Sequence, residues 1–229
     1  SLRYYCVSGA SGVDETHVFI SSGKNVHLPC NNTLHDCRST TWNYNKDSTT
    51  VELIAGGKKK KEIERRERLS LGSDCSLKIK NISKEDYGSY TCQQWIGNQN
   101  QGTDARVYLH VLHVSSSQTE ISAGLSVTLF CQLYSYPRGS CDDWITSERI
   151  ELFWVNQAGV NLTRSDSKYQ ISSSSDHCNI TLNTTLLNED HNRKWRCNVS
   201  QNNQLKTSAR YTVKSSGEKT SSLISVRPL

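Results

Sequence analysis

The sequence contains no methionine and only three prolines among its 229 residues. It also lacks any run of about 18 to 20 apolar residues, the length that a transmembrane helix requires. Because translation starts at methionine, we expect a mature fragment that lacks its signal peptide and, in a membrane-anchored protein, the downstream anchor.

Motifs of catalysis and metal binding are absent as well. The seven histidines are scattered, and no Gly-x-Ser-x-Gly, Walker, His-Glu-x-x-His or Cys-x-x-Cys pattern occurs. The segment "HDC" at 35–37 resembles a nucleophile or metal corner, but we interpret it as a disulfide cysteine beside two loop residues. The sequence therefore predicts no enzyme, no metal site, no cofactor and no nucleic-acid partner.

What is present indicates a secreted globular protein. Hydrophobic residues make up 34% and charged residues 21% of the chain, a mixture typical of folded domains. Nine cysteines together with six Asn-x-Ser/Thr sequons predict an oxidising, glycosylating route. The candidate glycosylation sites are Asn31, Asn81, Asn161, Asn179, Asn183 and Asn198.

One basic stretch supplies most of the net charge of +5. The segment "KKKKEIERRER" at 58–68 holds seven basic and three acidic residues and contributes +4. Two interpretations stay open: a surface that binds polyanions such as glycosaminoglycans, or a solvated face.

The cysteines form a repeat. Cys30, Cys37, Cys75 and Cys92 correspond to Cys131, Cys141, Cys178 and Cys197, and the outer pairs span 62 and 66 positions. A tryptophan follows the first cysteine each time, as Trp42 and Trp154. A repeat of this length predicts two domains of one architecture.

Both copies have the pattern of β-strands. Apolar and polar residues alternate in short segments separated by Gly, Asn, Asp and Ser clusters. The predicted strands are 24–30, 51–55, 75–80 and 105–111 in the first copy and 125–131, 150–155, 178–183 and 209–213 in the second. No segment has the pattern of an amphipathic helix, so the predicted fold is all-β.

Cys30 in a predicted strand is followed twelve positions later by Trp42 and then by the segment "DYGSYTC" at 86–92. This combination resembles the immunoglobulin superfamily. The resemblance implies two tandem β-sandwiches, the first of the variable type. It implies that Tyr90 forms the tyrosine corner, that Gly88 permits a close turn, and that Asp86 pairs with Arg68. The second copy differs, because Trp195 occupies the corner position, where it would fill the space and offer its N–H.

The resemblance also implies the disulfides. Cys30 would bridge to Cys92 and Cys131 to Cys197 between the sheets. Strand E begins next to the end of strand B in this fold, so we expect second bridges that pin the B–C loops, joining Cys37 to Cys75 and Cys141 to Cys178. Cys6 is left over, and a homodimer through Cys6 or through the sheet face of the first domain stays open.

We expect the first domain at 1–112, where 1–14 is an extension or strand A, the second at 113–214, and a stalk or disordered tail at 215–229. The seam near "HVLHVSSSQTE" leaves almost no linker. The long second B–C loop, "YSYPRGSCDDW" at 134–144, is either a binding loop or part of the domain junction.

Binding is the function that such a fold indicates, and the F–G loop "QQWIGNQNQG" at 93–102 is the predicted site. Trp95 is the first candidate hot spot, or else it packs on its own sheet. The four lysines at 58–61 either contact a partner or protect the edge of a sheet from pairing with another chain. The candidate ligand-binding residues are Trp95, Ile96, Asn98, Asn100, Lys58, Lys59, Lys60 and Lys61.

The resemblance suggests the ectodomain of a cell-surface immune-type receptor or coreceptor, extracellular or secreted, which binds a protein ligand or counter-receptor through its first domain. The membrane would be reached only through an anchor outside this sequence. A cell-adhesion molecule and a polyanion binder are the alternatives. An antigen-receptor chain is disfavoured, because "QGTDARVYL" lacks the Phe-Gly-x-Gly bulge of such chains.

Overall fold

The computed structural model describes residues 13–31, 36–118, 124–136, 141–174, 178–190 and 192–213. Cys6, the extension at 1–12 and the tail at 215–229 lie outside these ranges. Throughout the described residues the chain is built from β-strands, with a single α-helix of seven residues, and no helix there is long or apolar enough to cross a membrane.

Two β-sandwiches follow one another along the chain. The first contains strands β1 (Val13–Ser21), β2 (Val26–Leu28), β3 (Thr40–Lys46), β4 (Thr49–Ala55), β5 (Lys58–Lys59), β6 (Leu69–Leu71), β7 (Leu77–Ile79), β8 (Gly88–Ile96), β9 (Gln99–Asn100) and the start of β10 (Asp104–Ser116). The second contains the end of β10, β11 (Ser126–Tyr134), helix α1 (Cys141–Ser147), β12 (Ile150–Val155), β13 (Gln170–Ser173), β14 (Asn179–Thr185), β15 (Lys194–Gln201) and β16 (Gln204–Thr212). Each predicted strand overlaps one of these.

Strand β10 belongs to both sandwiches. It pairs antiparallel with β8 over residues 105–109 and with β11 over residues 111–116, while β1 runs parallel to it from Asp104 to Leu112. One sheet therefore runs through the molecule in the order β13-β14-β11-β10-β8-β3-β4-β5. The sheets β2-β7-β6 and β12-β15-β16 cover it in the first and second sandwich, respectively.

The chain passes between the domains inside this strand. Val111 belongs to the hydrophobic core of the first sandwich and Leu112 to that of the second, and both are fully buried. The sequence predicts a strand that ends at Val111 and a second domain that begins at residue 113. Instead, one strand continues through the seam, because β11 supplies hydrogen bonds from where the pairing with β8 ends.

Tight turns join neighbouring strands. Asp47 and Ser48 have positive φ angles of 52° and 67° between β3 and β4, and Asn202 and Asn203 have φ angles of 50° and 62° between β15 and β16. Two successive left-handed residues make the type I′ turn, whose twist matches that of antiparallel strands. Asp and Asn tolerate this conformation, so these hairpins form without glycine.

Four disulfide bonds join the cysteines in the pairs that the resemblance implied. Cys30–Cys92 and Cys131–Cys197 bridge the two sheets within their sandwiches. Cys37–Cys75 and Cys141–Cys178 connect each B–C segment to the start of strand E. Cys37, the cysteine of the segment "HDC" at 35–37, is therefore part of a disulfide bond.

Candidate functional site

The core of the first domain contains the Cys30–Cys92 disulfide bond and, beside it, Trp42. Trp42 is fully buried, and its indole Nε1 donates a hydrogen bond to the carbonyl oxygen of Cys75 at 2.9 Å. Trp154 repeats this in the second domain by donating to Ile180 O at 3.4 Å. Trp42 on β3 therefore ties its strand to the segment before β7, and Trp154 on β12 ties its strand to β14, while both side chains also fill the cores.

The tyrosine corner is present. The hydroxyl of buried Tyr90 donates to the carbonyl oxygen of Asp86 at 2.7 Å. Gly88 also has the predicted role, because a Cβ there would lie 2.8 Å from Asn45 O and 2.7 Å from the Tyr44 ring. The approach of strands β8 and β3 at this corner requires glycine.

Asp86 binds two arginines rather than one. Arg68 Nη1 lies 2.7 Å from one carboxylate oxygen, as predicted, and Arg65 Nη1 lies 2.7 Å from the other. Burial of Asp86 alone would raise its pKa, but hydrogen bonds from Arg68, the Ser83 backbone and Arg65 outweigh it and lower the pKa to about 2. Arg65 also stacks over Tyr44, with 4.0 Å to the ring centroid.

Arg65 does not stand out in the sequence, because it lies among six other basic residues that look equivalent. The second domain holds a counterpart that was also missed. There buried Asp190 pairs with Arg193 at 2.6 Å and accepts a hydrogen bond from the backbone of Leu187. The signal was available in the sequence, since Asp190 precedes Cys197 by seven positions and Asp86 precedes Cys92 by six.

Trp195 fills the corner position of the second domain, as expected, and is fully buried. The expectation that its N–H finds a partner there is not met, since Nε1 has no hydrogen-bond acceptor among the described residues. The tryptophan therefore acts at this corner through packing.

The predicted F–G loop at 93–102 is largely a β-hairpin. Strand β8 continues through Trp95 and Ile96, which pair with Asn100 and Gln99 of β9. The segment between the two strands is thus paired over much of its length, because amide side chains, although typical of loops, also allow strand pairing. The turn consists of Gly97, with a φ of 59°, and Asn98.

Two apolar side chains stand exposed on this hairpin: Trp95 is 36% exposed and Ile96 59%. Below them, buried Gln94 accepts hydrogen bonds from Ser39 and Thr40. At the far side, Asn100 donates to Asp104 at 2.8 Å. The hairpin is thus anchored at both ends while its apolar pair faces solvent.

The lysine run forms the edge of the long sheet. Strand β5 is only Lys58–Lys59 and pairs with the end of β4. Lys60 pairs with Glu52 at 2.8 Å, and Lys59 Nζ donates to the carbonyl oxygen of Arg66. Strand β5 is thus the edge of the long sheet, with β3 and β4 between it and β8, the strand that carries the hairpin.

The outer face of strands β3, β8 and β10 carries a shallow polar depression of about 400 Å³. Asn43, Gln93, Asp104, Arg106 and Tyr108 are among its lining residues. Gln93 donates to Asp104 at 2.8 Å, and Arg106 lies 3.6 Å from Glu15. This face supplies hydrogen-bonding groups beside the hairpin.

The segment at 134–144 contributes to the domain junction. Tyr134 packs against Tyr87 of the first domain, with ring centroids 5.9 Å apart, and the Tyr136 hydroxyl reaches Asn45 Oδ1 at 3.4 Å. Residues 137–140, which include Arg138, lie outside the described residues. Helix α1 then begins at Cys141, although no helix was predicted.

A cluster of rings fills the junction. His110 is 1% exposed, and its Nε2 lies 2.9 Å from His17 Nδ1, while its Nδ1 lies 2.7 Å from the Ser135 hydroxyl of the second domain. Trp144 stacks on His110 with ring centroids 4.7 Å apart, and Phe19 packs against His110 at a tilt with centroids 4.6 Å apart. Burial holds the pKa of His110 well below its usual value.

The sequons lie on the surfaces of both domains. Asn31, Asn81 and Asn161 are exposed, and the other three are partly exposed. Asn179 and Asn183 lie four residues apart on β14 and share one face, where Asn183 accepts a hydrogen bond from Thr128. Their glycosylation stays a prediction.

The immunoglobulin V-set family model matches residues 13–112. No curated protein sequence matches the chain. Among solved structures, the I67–I69 fragment of the titin I-band is similar at 14% identity with a TM-score of 0.30, over 88% of this chain and 62% of that one. The N-terminal four Ig domains of Dscam1 isoform 7.44 are similar at 15% identity with a TM-score of 0.34, over 90% of this chain and 45% of that one. The chain thus spans less than two thirds of the length of these structures.

Proposed function

Since residues 13–112 are a V-set domain and the chain belongs to the immunoglobulin superfamily, we propose that it is the recognition module of a cell-surface immune-type receptor or coreceptor. Its ligand is an extracellular protein, which binds to the first domain. The disulfide-bonded immunoglobulin architecture supports an extracellular place of action. Its role is binding rather than catalysis.

The observation that carries this proposal is the exposed apolar pair on the anchored hairpin. Trp95 and Ile96 present apolar surface to solvent, while Gln94 directly below them is buried and hydrogen-bonded. Strand pairing already orders the backbone of both residues, so less backbone entropy is lost when these large apolar side chains bind a partner. Asn98 and Asn100 at the same tip provide the polar groups of a binding rim.

The basic stretch at 58–68 supports edge protection more than polyanion binding. Arg65 and Arg68 are committed to Asp86, and Lys60 is paired with Glu52. A polyanion would have to compete with these internal partners for the same cations. Lysines on a two-residue edge strand discourage pairing with another chain.

A screen of the purified protein against a library of extracellular proteins tests the proposal, repeated with Trp95→Ala. We expect Trp95→Ala to weaken the specific interaction by roughly 30-fold or more, the range of a hot spot. Leu205→Ala is the matched control, because Leu205 is also an exposed apolar residue, 60% exposed, but lies in the second domain. Equal binding by the wild-type protein and by Trp95→Ala would overturn the site.

Adhesion through self-association is the competing function, and sedimentation of the purified protein at rising concentration separates the two. The receptor proposal predicts a monomer that binds a different protein. A dimer that dissociates when Trp95 is replaced by alanine would instead support homophilic adhesion through the same hairpin.

A further inference from the structure

Phe153 lies on the outer face of the sheet β12-β15-β16, away from the core of the second domain. Its neighbour Trp154 is fully buried in that core, opposite Cys197 of the disulfide bond. Successive side chains of a strand point to opposite faces, so Phe153 projects outward, where it is partly exposed. The ring therefore presents apolar surface outside the core.

Asn198, a candidate glycosylation site, is directly opposite Phe153 on the neighbouring strand β15. Directly opposite residues of an antiparallel pair point to the same face, with Cβ atoms about 4.5 to 5.5 Å apart. Asn198 is partly exposed on that face. A sugar attached to its side chain therefore begins beside the phenylalanine ring, within reach of the ring face.

The Asn198 side chain is already held in a suitable orientation. Its Oδ1 atom accepts a hydrogen bond from the hydroxyl of Ser208, which is the partner of Asn198 on β16, the strand on the other side. An N-linked sugar is carried by Nδ2, the other branch of the same amide. Since Oδ1 is directed toward β16, Nδ2 is directed away from it, which favours a glycan that extends toward β12 and Phe153.

Polar side chains lie around the ring on the same outer face. Glu151 is two positions from Phe153 on β12, and Arg196 is two positions from Asn198 on β15. A pyranose ring has an apolar C–H face and a rim of hydroxyl and acetamido groups. Its apolar face can pack on an aromatic ring while the rim reaches neighbouring polar groups. The surroundings of Phe153 therefore have the chemistry of a carbohydrate contact.

Asn161 is a second candidate glycosylation site near this ring. It pairs with Val155 and, together with Phe153, lines a depression of about 580 Å³. Because Val155 is two positions from Phe153 on β12, the Asn161 side chain is not directly opposite the ring. Asn198 is therefore the better placed of the two attachment points.

We propose that the Phe153 ring is the contact surface for the first N-acetylglucosamine of an N-linked glycan on Asn198. The proposal rests on the predicted glycosylation of Asn198 and is independent of the hairpin in the first domain. Because the sugar is covalently tethered next to the ring, its effective concentration is high and a weak contact suffices. The glycan then covers the ring and excludes a protein partner from this face of the second domain.

The test uses the whole chain, produced in cells that attach high-mannose glycans and then trimmed with endoglycosidase H to one N-acetylglucosamine at each occupied site. Peptide mass mapping first measures the occupancy of Asn198. An aromatic ring moves the NMR signals of protons above its face upfield. We expect one set of sugar signals with such a shift, which should be lost in Asn198→Gln and return to the ordinary position in Phe153→Leu.

Three results of this experiment would overturn the proposal. The first is an Asn198 that carries no sugar, and the second is an Asn198 sugar whose signals are not shifted. The third is a set of shifted signals that persists in Asn198→Gln and disappears in Asn161→Gln, because the contact would then belong to the other glycan.

Urea unfolding of the trimmed protein gives a second readout through a double-mutant cycle. Asn198→Gln should raise the unfolding equilibrium constant about three- to fivefold more in the otherwise wild-type protein than in the Phe153→Leu background, the range of a favourable cross-strand pair. Equal effects in the two backgrounds would contradict the contact between sugar and ring.

Asn183→Gln is the matched control for the cycle. Asn183 also accepts a hydrogen bond from a hydroxyl, that of Thr128, but its cross-strand partners Thr128 and Gln170 carry no ring. Its effect on the unfolding equilibrium constant should be the same with and without Phe153→Leu. A difference as large as that of Asn198→Gln would show that Phe153 acts through general stability and would refute the proposal.

Discussion

Val111 and Leu112 are neighbours in one strand, yet their side chains lie in the cores of different domains. Successive side chains of a strand point to opposite faces, and here each face belongs to another sandwich. The two cores are therefore joined by a single peptide bond within a hydrogen-bonded strand. This arrangement has consequences for how the molecule unfolds.

Loss of either side chain should destabilise both domains together. We expect Val111→Ala to cost about 2 kcal/mol and Leu112→Ala about 3 kcal/mol of unfolding free energy, as for other buried aliphatic residues. Because β10 is shared, differential scanning calorimetry should show one transition that both substitutions shift downward. Two separate transitions, each sensitive to one substitution only, would contradict the coupling.

Arg65 should matter more for stability than its sequence suggests. Replacement by methionine leaves the buried Asp86 carboxylate with one arginine, and we expect a cost of about 2 to 3 kcal/mol in a urea titration. Arg38→Met is the control, because the Arg38 side chain is 91% exposed and its ion pair with Asp36 is long, at 3.9 Å. That change should stay within about 0.5 kcal/mol. Similar losses in the two variants would contradict the assigned role of Arg65.

The same carboxylate predicts sensitivity to acid. The pKa of Asp86 is lowered from 3.8 to about 2 in the folded protein, so the folded state holds this proton less tightly than the unfolded chain. Its contribution is complete above pH 3.8 and is lost as the pH falls toward 2, about 2 kcal/mol in all. Unfolding measured between pH 5 and 2 should show this loss, and Asp86→Asn should remove that part of the slope. An unchanged slope would count against the ion network.

His110 predicts a second pH dependence, at milder acidity. Burial lowers its folded-state pKa well below 6.5, so the unfolded chain binds the proton first and stability falls as the pH drops below about 6.5. Replacement by phenylalanine, which fits a site already lined by rings, should make the profile between pH 7 and 5 less steep, while His17 and His113, whose pKa values burial also lowers, keep part of the slope. His27→Gln is the control, since His27 is exposed on β2, and its profile should match that of the wild-type protein. If His110→Phe keeps the wild-type slope, the buried histidine is not its source.

The parts of the fold that could be predicted are those set by spacing and side-chain type. The cysteine repeat, the two core tryptophans and the Asp86–Arg68 pair depend on residues that have few other uses in such a pattern. Helix α1 could not be predicted, because its sequence "CDDWITS" has no amphipathic periodicity. The helix begins at the disulfide-bonded Cys141 and ends three residues before β12, which begins at Ile150. Its position depends on long-range contacts.

The binding surfaces were predicted less completely. Trp95 stood out because a large aromatic residue among amides is unusual, but its hairpin depends on pairing with β9 that amide-rich sequence does not indicate. The groove of about 320 Å³ between β1, β10 and helix α1 had no sequence signal at all. The residues that line it are far apart in the sequence, and the passage of β10 through both domains brings them together: Glu15, His17, Tyr108, Tyr136, Asp143, Trp144, Ser147 and Glu148.

The two ends of the long sheet limit how copies of this protein can meet. One end is the two-residue strand Lys58–Lys59, and the other is Gln170–Ser173, which is short and mostly polar. Neither offers the length of unpaired backbone that a neighbouring molecule needs in order to extend a sheet sideways. A second copy that met this sheet would therefore contact the side chains on its faces rather than extend it sideways, which leaves the specificity of such a contact to the residues that project from the sheet.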